Sequence, residues 1–436
     1  MGWLLNIIYL GALTAAMPFF AWSTLVRGRR RGGLLQKFFG LVAVRKGDRP
    51  CVWLHAVSVG EVNLLATIIQ AVRNQSPSVD IYVTTTTKSG YELARARYDD
   101  CVVSYAPLDF TWAVKTALRR IRPQTLILAE LEIWPNLISI SKARGVNVAV
   151  VNGRLSEKSY QGYRRVSSLL RPVLRKLDCI AVQDWTYAER FVALGAPAKR
   201  VISTGSLKFD GAETNRRNLK TMRLRRLAEI PADAIVFLAG STQAGEEEAA
   251  LNAFLAAKPR HPNLRLILVP RHPERFDEVA AMLDERGVNW SRRSSLEHSV
   301  VDPTACVLLV DTVGELAAWW GVADVAFVGG SFGRRGGQNM IEPAAYGAAV
   351  SFGPNTKNFR DIVQMLLEED AAVMVADEAA LIEFVGRCLD EPEYCELLGD
   401  NAQQVVASQI GAVERTMEAL RPFLPAPEFI RHRMAA

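Results

Sequence analysis

Between residues 51 and 184 the chain repeats one rhythm: a short, nearly unbroken apolar run, then a stretch with the helical spacing of apolar positions. The runs are "CVWLHAV", "IYVTTTT", "VVSYAP", "TLILAE", "VNVAVV" and "CIAVQD". A strand covered by helices on both faces loses the in–out alternation of a half-exposed sheet, so runs of this kind predict parallel strands. The segments between them, such as "EVNLLATIIQAVRN" and "YAERFVAL", read as crossover helices. Strand and helix in alternation is the pattern of a doubly wound α/β domain.

The rhythm breaks at 211–233, "GAETNRRNLKTMRLRRLAEIPAD", a polar and basic segment that reads as a linker plus a helix. It then restarts with "AIVFLAGS", "LRLILVPR", "ACVLLVD", "VADVAFVGG", "AAVSFGP" and "AAVMVAD". Two α/β domains are therefore expected, 32–210 and 234–436, facing a cleft. Open parallel sheets bind ligands at the carboxyl ends of their strands.

The first 31 residues follow a different pattern. Trp3 to Val26 carries no charge and exceeds the roughly 20 residues that cross a bilayer core. Trp3 and Trp22 stand where interfacial aromatics stand, and arginines follow at 27, 29, 30 and 31. A cleaved signal peptide has its basic residues before the apolar stretch, not after it. A membrane anchor at 1–31 is expected, either spanning or, given Asn6, Thr14, Pro18 and Ser23, lying in the interface. The basic flank leads to the expectation that the rest of the chain lies on the cytoplasmic side of the membrane.

At 436 residues, with 49% hydrophobic and 22% charged residues, the chain is globular and too long for one core. Its net charge of +6 suits an anionic membrane surface or phosphorylated substrates, and no nucleic-acid-binding motif is present. The six cysteines are scattered and the five histidines show no metal-ligand spacing, so neither a disulfide framework nor a metal site is expected.

Unusual residues cluster where strands give way to loops. In "HAVSVGEV" Glu61 follows a glycine at the start of a helix, where any acid also helps the helix dipole. In "AELEIWPN" Glu130 and Glu132 lie two apart at a strand end and so share a face, although each could simply bind a backbone amine or a lysine. Lys208 in "GSLKFD" could meet an anion or be a solvated charge, and Gly240 and Ser241 in "LAGSTQAGEEE" resemble a phosphate-cradling loop without a dinucleotide or Walker signature. Arg271 and His272 leave a strand in "LVPRHPERF", where an arginine fork suits phosphate. "DTVGEL" places Val313, Gly314 and Glu315 at another strand end. The glycine-rich string 329–356 carries Asn339, Met340, Ile341 and Glu342, and turn chemistry alone hardly explains it.

Together these stretches, with "NGRLSEKSYQGY" and "GGQNMIEP", resemble the bacterial transferases of 3-deoxy-D-manno-octulosonic acid (Kdo), in the family's order and over nearly the whole chain. The resemblance implies a GT-B architecture, two Rossmann-like domains with final helices returning to the first. It implies an inverting transfer of Kdo from CMP-Kdo to the lipid A precursor (lipid IVA) in lipopolysaccharide synthesis, without metal or cofactor. Carried over by position, Glu61 is the proton acceptor, Glu130 the second acid with Glu132 its alternative, and Lys208 their basic partner. Arg271, His272, Val313, Gly314, Glu315, Asn339, Met340, Ile341 and Glu342 line the CMP pocket. Gln338 stands where the family has His, and Gly153 where it has Ala. Two rival readings are a GT-B enzyme using a UDP-sugar in lipid A synthesis and a non-catalytic binder of lipid A precursor.

Overall fold

The structure, a computed structural model, describes residues 2–27, 32–298, 302 and 304–425; within 2–27 it describes the side chains of 2–15 and 17 only. The expected arginine flank therefore lies outside the described side chains. The chain divides into two compact units, one comprising the residues up to Asp210 and those from Ile410 on, the other Gly211–Gln409.

The first unit is built on seven strands: β1 (Cys51–Ala56), β2 (Asp80–Thr85), β3 (Val102–Tyr105), β4 (Thr125–Ala129), β5 (Asn147–Gly153), β6 (Cys179–Val182) and β7 (Val201–Ser203). They form one sheet in the order β3-β2-β1-β4-β5-β6-β7, every pair parallel. All six residues of β1 and all five of β4 are buried, as continuous apolar runs require when helices cover both faces. Gly153 sits where β5 shifts register against β6. A Cβ there would lie 3.1 Å from Ala181 O and 3.0 Å from Val182 Cγ1, so glycine eases a tight strand contact.

The closing helix Ala412–Leu420 completes this unit. Asp210 accepts from the Gly411 and Val413 amides, Arg415 Nε donates to Thr204 O, and Phe423 O accepts from Thr125 and Asn147 side chains.

The second unit has strands β8 (Ile235–Thr242), β9 (Leu264–Pro270), β10 (Trp290–Arg292), β11 (Val307–Leu309), β12 (Val325–Val328), β13 (Ala349–Phe352) and β14 (Ala372–Met374). Their order is β10-β11-β9-β8-β12-β13-β14, again all parallel. Trp319, Trp320 and Phe327 are almost wholly buried. The segment 211–233 is folded onto this unit: Arg216 Nε donates to Tyr346 O and Thr221 Oγ1 to Ala318 O.

Residues Gly2–Arg27 form one helix. Among the described residues no helix is long and apolar enough to cross a membrane. The first half of this helix is instead docked on the first unit. Asn6, 2% exposed, donates to Thr111 Oγ1 and accepts from Thr111 N, while Tyr9 donates to Asp109. Trp3, Leu4, Ile7, Ile8 and Leu10 are left exposed, as are Leu34, Leu35, Phe39 and Trp112 of the same unit.

Candidate active site

Because each sheet is parallel, all its strands release their chains at one edge. In the first unit Glu61 follows β1, Glu130 and Glu132 follow β4, and Lys208 follows β7. The helix Val59–Gln75 is capped by Ser58, whose hydroxyl accepts from Glu61 N at 3.3 Å. Ser58 with Glu61 three positions on is a capping box. The glutamate reaches back: Oε1 accepts from Ser58 Oγ and Oε2 from Val57 N, both at 2.8 Å. These bonds fix the carboxylate while leaving lone pairs on both oxygens. Above Gly60 the space is open, since a Cβ would find only Ser58 Oγ within 4 Å, at 3.9 Å.

Glu130 is held in the left-handed region at φ 53°, a conformation that costs a non-glycine residue about 1–2 kcal/mol. Its Oε1 lies 3.7 Å from Lys208 Nζ. The lysine arrives there because Asn152, at the end of β5 and also at φ 53°, accepts from Leu207 N at 3.0 Å and draws the 205–210 loop over the sheet edge. Glu132 accepts from Trp134 Nε1 at 2.7 Å and lies 4.0 Å from His55 Nε2. His55 is buried in β1, with Nδ1 3.0 Å from Thr84 Oγ1.

The electrostatics of this group are perturbed. Burial pushes the Glu61 carboxyl above its ordinary value, against the pull of Val57 N–H and Ser58, with Glu130 adding to the rise. Burial, reinforced by Glu61 and Glu130, lifts Glu132 to about 7 despite the Trp134 hydrogen bond. His55 is lowered to about 4 by burial, which keeps it neutral. Two carboxyls raised by burial and by neighbouring acids, beside the Glu130–Lys208 pair, form the kind of perturbed cluster that marks a candidate proton-accepting site. Sequence reasoning gave no role to His55, Trp134 or Asn152. All three lie inside stretches that carry the family resemblance, "HAVSVGEV", "AELEIWPN" and "NGRLSEKSYQGY", and that membership is the signal that could have found them.

In the second unit Arg271 follows β9, the 313–315 turn follows β11, and the glycine-rich loop follows β12. The exposed Arg271 guanidinium is close enough to Glu342 to pull its carboxyl down, against the larger upward push of burial. Asn339 donates to Glu342 Oε1 at 3.0 Å and accepts from Ile341 N at 3.1 Å. That amide is consequently spent, and Met340 and Ile341 bury their side chains. These two residues build the loop and offer a ligand backbone only. Glu315 is committed elsewhere: Arg293 donates to both its oxygens, at 2.9 and 2.7 Å, and Thr312 donates to Oε2. Val313 is 78% exposed and Gly314 takes φ 92°, leaving an open turn. His272 lies 3.7 Å from Glu274. Gly240 serves packing, since a Cβ there would strike the Trp320 ring at 2.4 Å. Gln338 lies across Gly330, its Nε2 3.2 Å from where a Cβ would be. No group of three or more His, Cys, Asp or Glu among the described residues has the geometry to hold a metal ion.

Residues 29–211 match the family described as 3-deoxy-D-manno-octulosonic-acid transferase (kdotransferase). The chain is 34% identical over 435 residues to the 3-deoxy-D-manno-octulosonic acid transferase of Bordetella pertussis, covering 96% of this chain and 99% of that one. Its sequence is 32% identical to the C-terminal CMP-Kdo binding domain of WaaA from Acinetobacter baumannii, over 43% of this chain and 96% of that domain, with a TM-score of 0.40. A UDP-GlcNAc 2-epimerase from Neisseria meningitidis superposes with a TM-score of 0.56 at 12% identity, over 85% of this chain and all of that one, a likeness of fold alone.

Proposed function

This chain belongs to the Kdo transferases, glycosyltransferases of lipopolysaccharide biosynthesis, and on that premise we propose that it carries Kdo from CMP-Kdo to a lipid A precursor with Glu61 as the base. The observation that carries this reading is the carboxylate cluster at the ends of β1 and β4, with Glu61 held by Val57 and Ser58 and Lys208 alongside. We read the two units as the acceptor and donor halves of a GT-B enzyme.

In the proposed reaction the acceptor's primary hydroxyl approaches over Gly60. As its oxygen bonds to the anomeric carbon of Kdo, Glu61 takes the hydroxyl proton. The bond from that carbon to the phosphate oxygen breaks, and CMP leaves with the electron pair. A single displacement of this kind inverts the anomeric configuration. The raised pKa of Glu61 makes it a stronger base that is still ionised at higher pH, and such a base contributes about two to four orders of magnitude. Glu130, in its left-handed turn, faces the positive charge that develops on the sugar, and Lys208 takes the donor's carboxylate. Glu132, tied to Trp134, next to His55 and raised by Glu61 and Glu130, is the alternative second acid.

On the donor side Glu342 suits the ribose hydroxyls and Arg271 the single phosphate. With a single phosphate to neutralise, Arg271 and the backbone amides of the glycine-rich loop serve it in this reading, and the transfer is taken to be independent of metal. At the inner membrane, the helix Gly2–Arg27 lies along the interface. Asn6 and Tyr9 hold it to the protein, and Trp3, Leu4, Ile7, Ile8 and Leu10 turn outward to lipid on the cytoplasmic side.

The deciding assay incubates the protein with CMP-Kdo and lipid A precursor and weighs the product. CMP should compete and UDP should not, and turnover should persist in excess chelator. Inhibition by UDP alone would favour a UDP-sugar enzyme; binding of precursor without product would favour a non-catalytic binder.

A further inference from the structure

The second sheet has its topological switch point between β8 and β12, because β8 bonds β9 on one side and β12 on the other. Open α/β sheets usually receive an anionic phosphate at this place, on the amides that begin the helix after the first strand. Here that helix is Glu246–Ala257, and its first residue turns its carboxylate onto the loop amides on both sides of the switch point, after β8 and after β12. Glu246 Oε2 accepts from Gln243 N at 2.8 Å and Gly330 N at 2.7 Å. Oε1 accepts from Ser331 N and Phe332 N, both at 2.9 Å. The side chain is 1% exposed and no described lysine or arginine pairs with it. A Cβ on Gly329 would lie 2.8 Å from Glu246 Oε2 and 2.6 Å from Thr242 Cα, so the loop closes on the carboxylate only as glycine.

Four backbone N–H groups converging on two oxygens is the reception a phosphate would be given. We infer that Glu246 is a built-in anion that fills the phosphate cradle of the second unit and thereby selects a nucleoside monophosphate sugar over a nucleoside diphosphate sugar. A second phosphate finds the N–H donors spent and a fixed negative charge in its place. The single phosphate of a monophosphate donor needs none of them, because Arg271 at the end of β9 serves it. The wild-type cradle needs no cation, since the four amides satisfy Glu246 as they would satisfy a ligand.

This inference rests on the proposal that the second unit holds a cytidine nucleotide, and the test separates the two. On the full chain, CMP and CDP are compared as inhibitors of Kdo transfer, for the wild type and for Glu246→Ala and Glu246→Gln. Separately, the melting temperature of each protein is followed as inorganic phosphate is added, with chloride at equal ionic strength as control. Wild type should prefer CMP by at least about tenfold and gain nothing specific from phosphate. Glu246→Ala should melt lower, recover in phosphate but not in chloride, and narrow the CMP-to-CDP ratio. Equal inhibition of wild type by CDP and CMP overturns the selectivity, even if neither variant folds. A folded Glu246→Ala without a phosphate-specific rise overturns the cradle. If CMP itself fails to compete in wild type, the donor assignment falls, while the phosphate rescue still decides the cradle.

Discussion

Glu61→Gln isolates the proton-accepting step. Glutamine serves a capping box nearly as well as glutamate, and it is isosteric. Its amide oxygen can accept from Val57 N, as Glu61 Oε2 does at 2.8 Å, while its NH2 group donates to Ser58 Oγ in place of the bond now given to Oε1. The helix Val59–Gln75 keeps its cap, so stability should change by no more than about 1 kcal/mol. The variant lacks a basic lone pair at the point where the acceptor's proton must go. An alcohol does not ionise near neutrality, so the loss is the whole contribution of a positioned base, about two to four orders of magnitude. That corresponds to about 2.7–5.5 kcal/mol of barrier. The loss should appear in kcat, with KM for CMP-Kdo and for the lipid nearly unchanged, because neither binding face is altered. Product mass under saturating substrates reads the rate, and thermal melting checks the fold. Turnover within about threefold of the parent, against the much larger loss a base should cause, would refute the assignment of Glu61 as base.

Two further outcomes are expected. Glu132 has its carboxyl raised to about 7 from an ordinary 4.5, so its contribution to stability is full below 4.5 and is lost as pH rises through 7. Glu132→Gln should therefore melt higher than the parent above pH 7, the gap closing on acidification, and a gap independent of pH would contradict the cluster electrostatics. Asn6→Ala strips a buried partner from Thr111 N and Thr111 Oγ1, at about 1–3 kcal/mol. Amide deuterium exchange in residues 2–15 should then quicken about tenfold or more, and exchange unchanged from the parent would show that the docking of this helix is incidental.

The fold was legible because burial on both faces erases alternation, and that erasure is itself a pattern: β1, β4 and β6 are buried at every residue. β10 escaped notice for the opposite reason. "WSR" is three residues long, half-exposed throughout and at the sheet's edge, so no apolar run marks it. The site was less legible because its residues are brought together by long-range contacts. Glu61 shows in the sequence as an acid in the first turn of a helix; the bonds from Val57 N and Ser58 Oγ that fix its carboxylate as the proposed base do not show there. Lys208 reaches Glu130 only through the bond from Leu207 N to Asn152, which local spacing cannot reveal. Three acids stand in a row at 246–248, and nothing in their order says that the first folds back over the loop after β12.

Backbone conformation carries the remaining signal. Among the described residues six non-glycine residues take positive φ. Arg122, Glu229 and Asp370 do so just past helix ends, where a left-handed residue commonly closes the last turn. Glu130, Asn152 and Ser241 do so at or just after the carboxyl ends of β4, β5 and β8, where no helix needs closing. Glycine would relieve the strain at each position, so a side chain kept there must be used. Asn152 uses its oxygen to place the Lys208 loop, and Glu130 holds a carboxylate beside that lysine. The strain thus marks the sheet edges where the donor and acceptor chemistry is proposed, independently of any pKa or sequence motif.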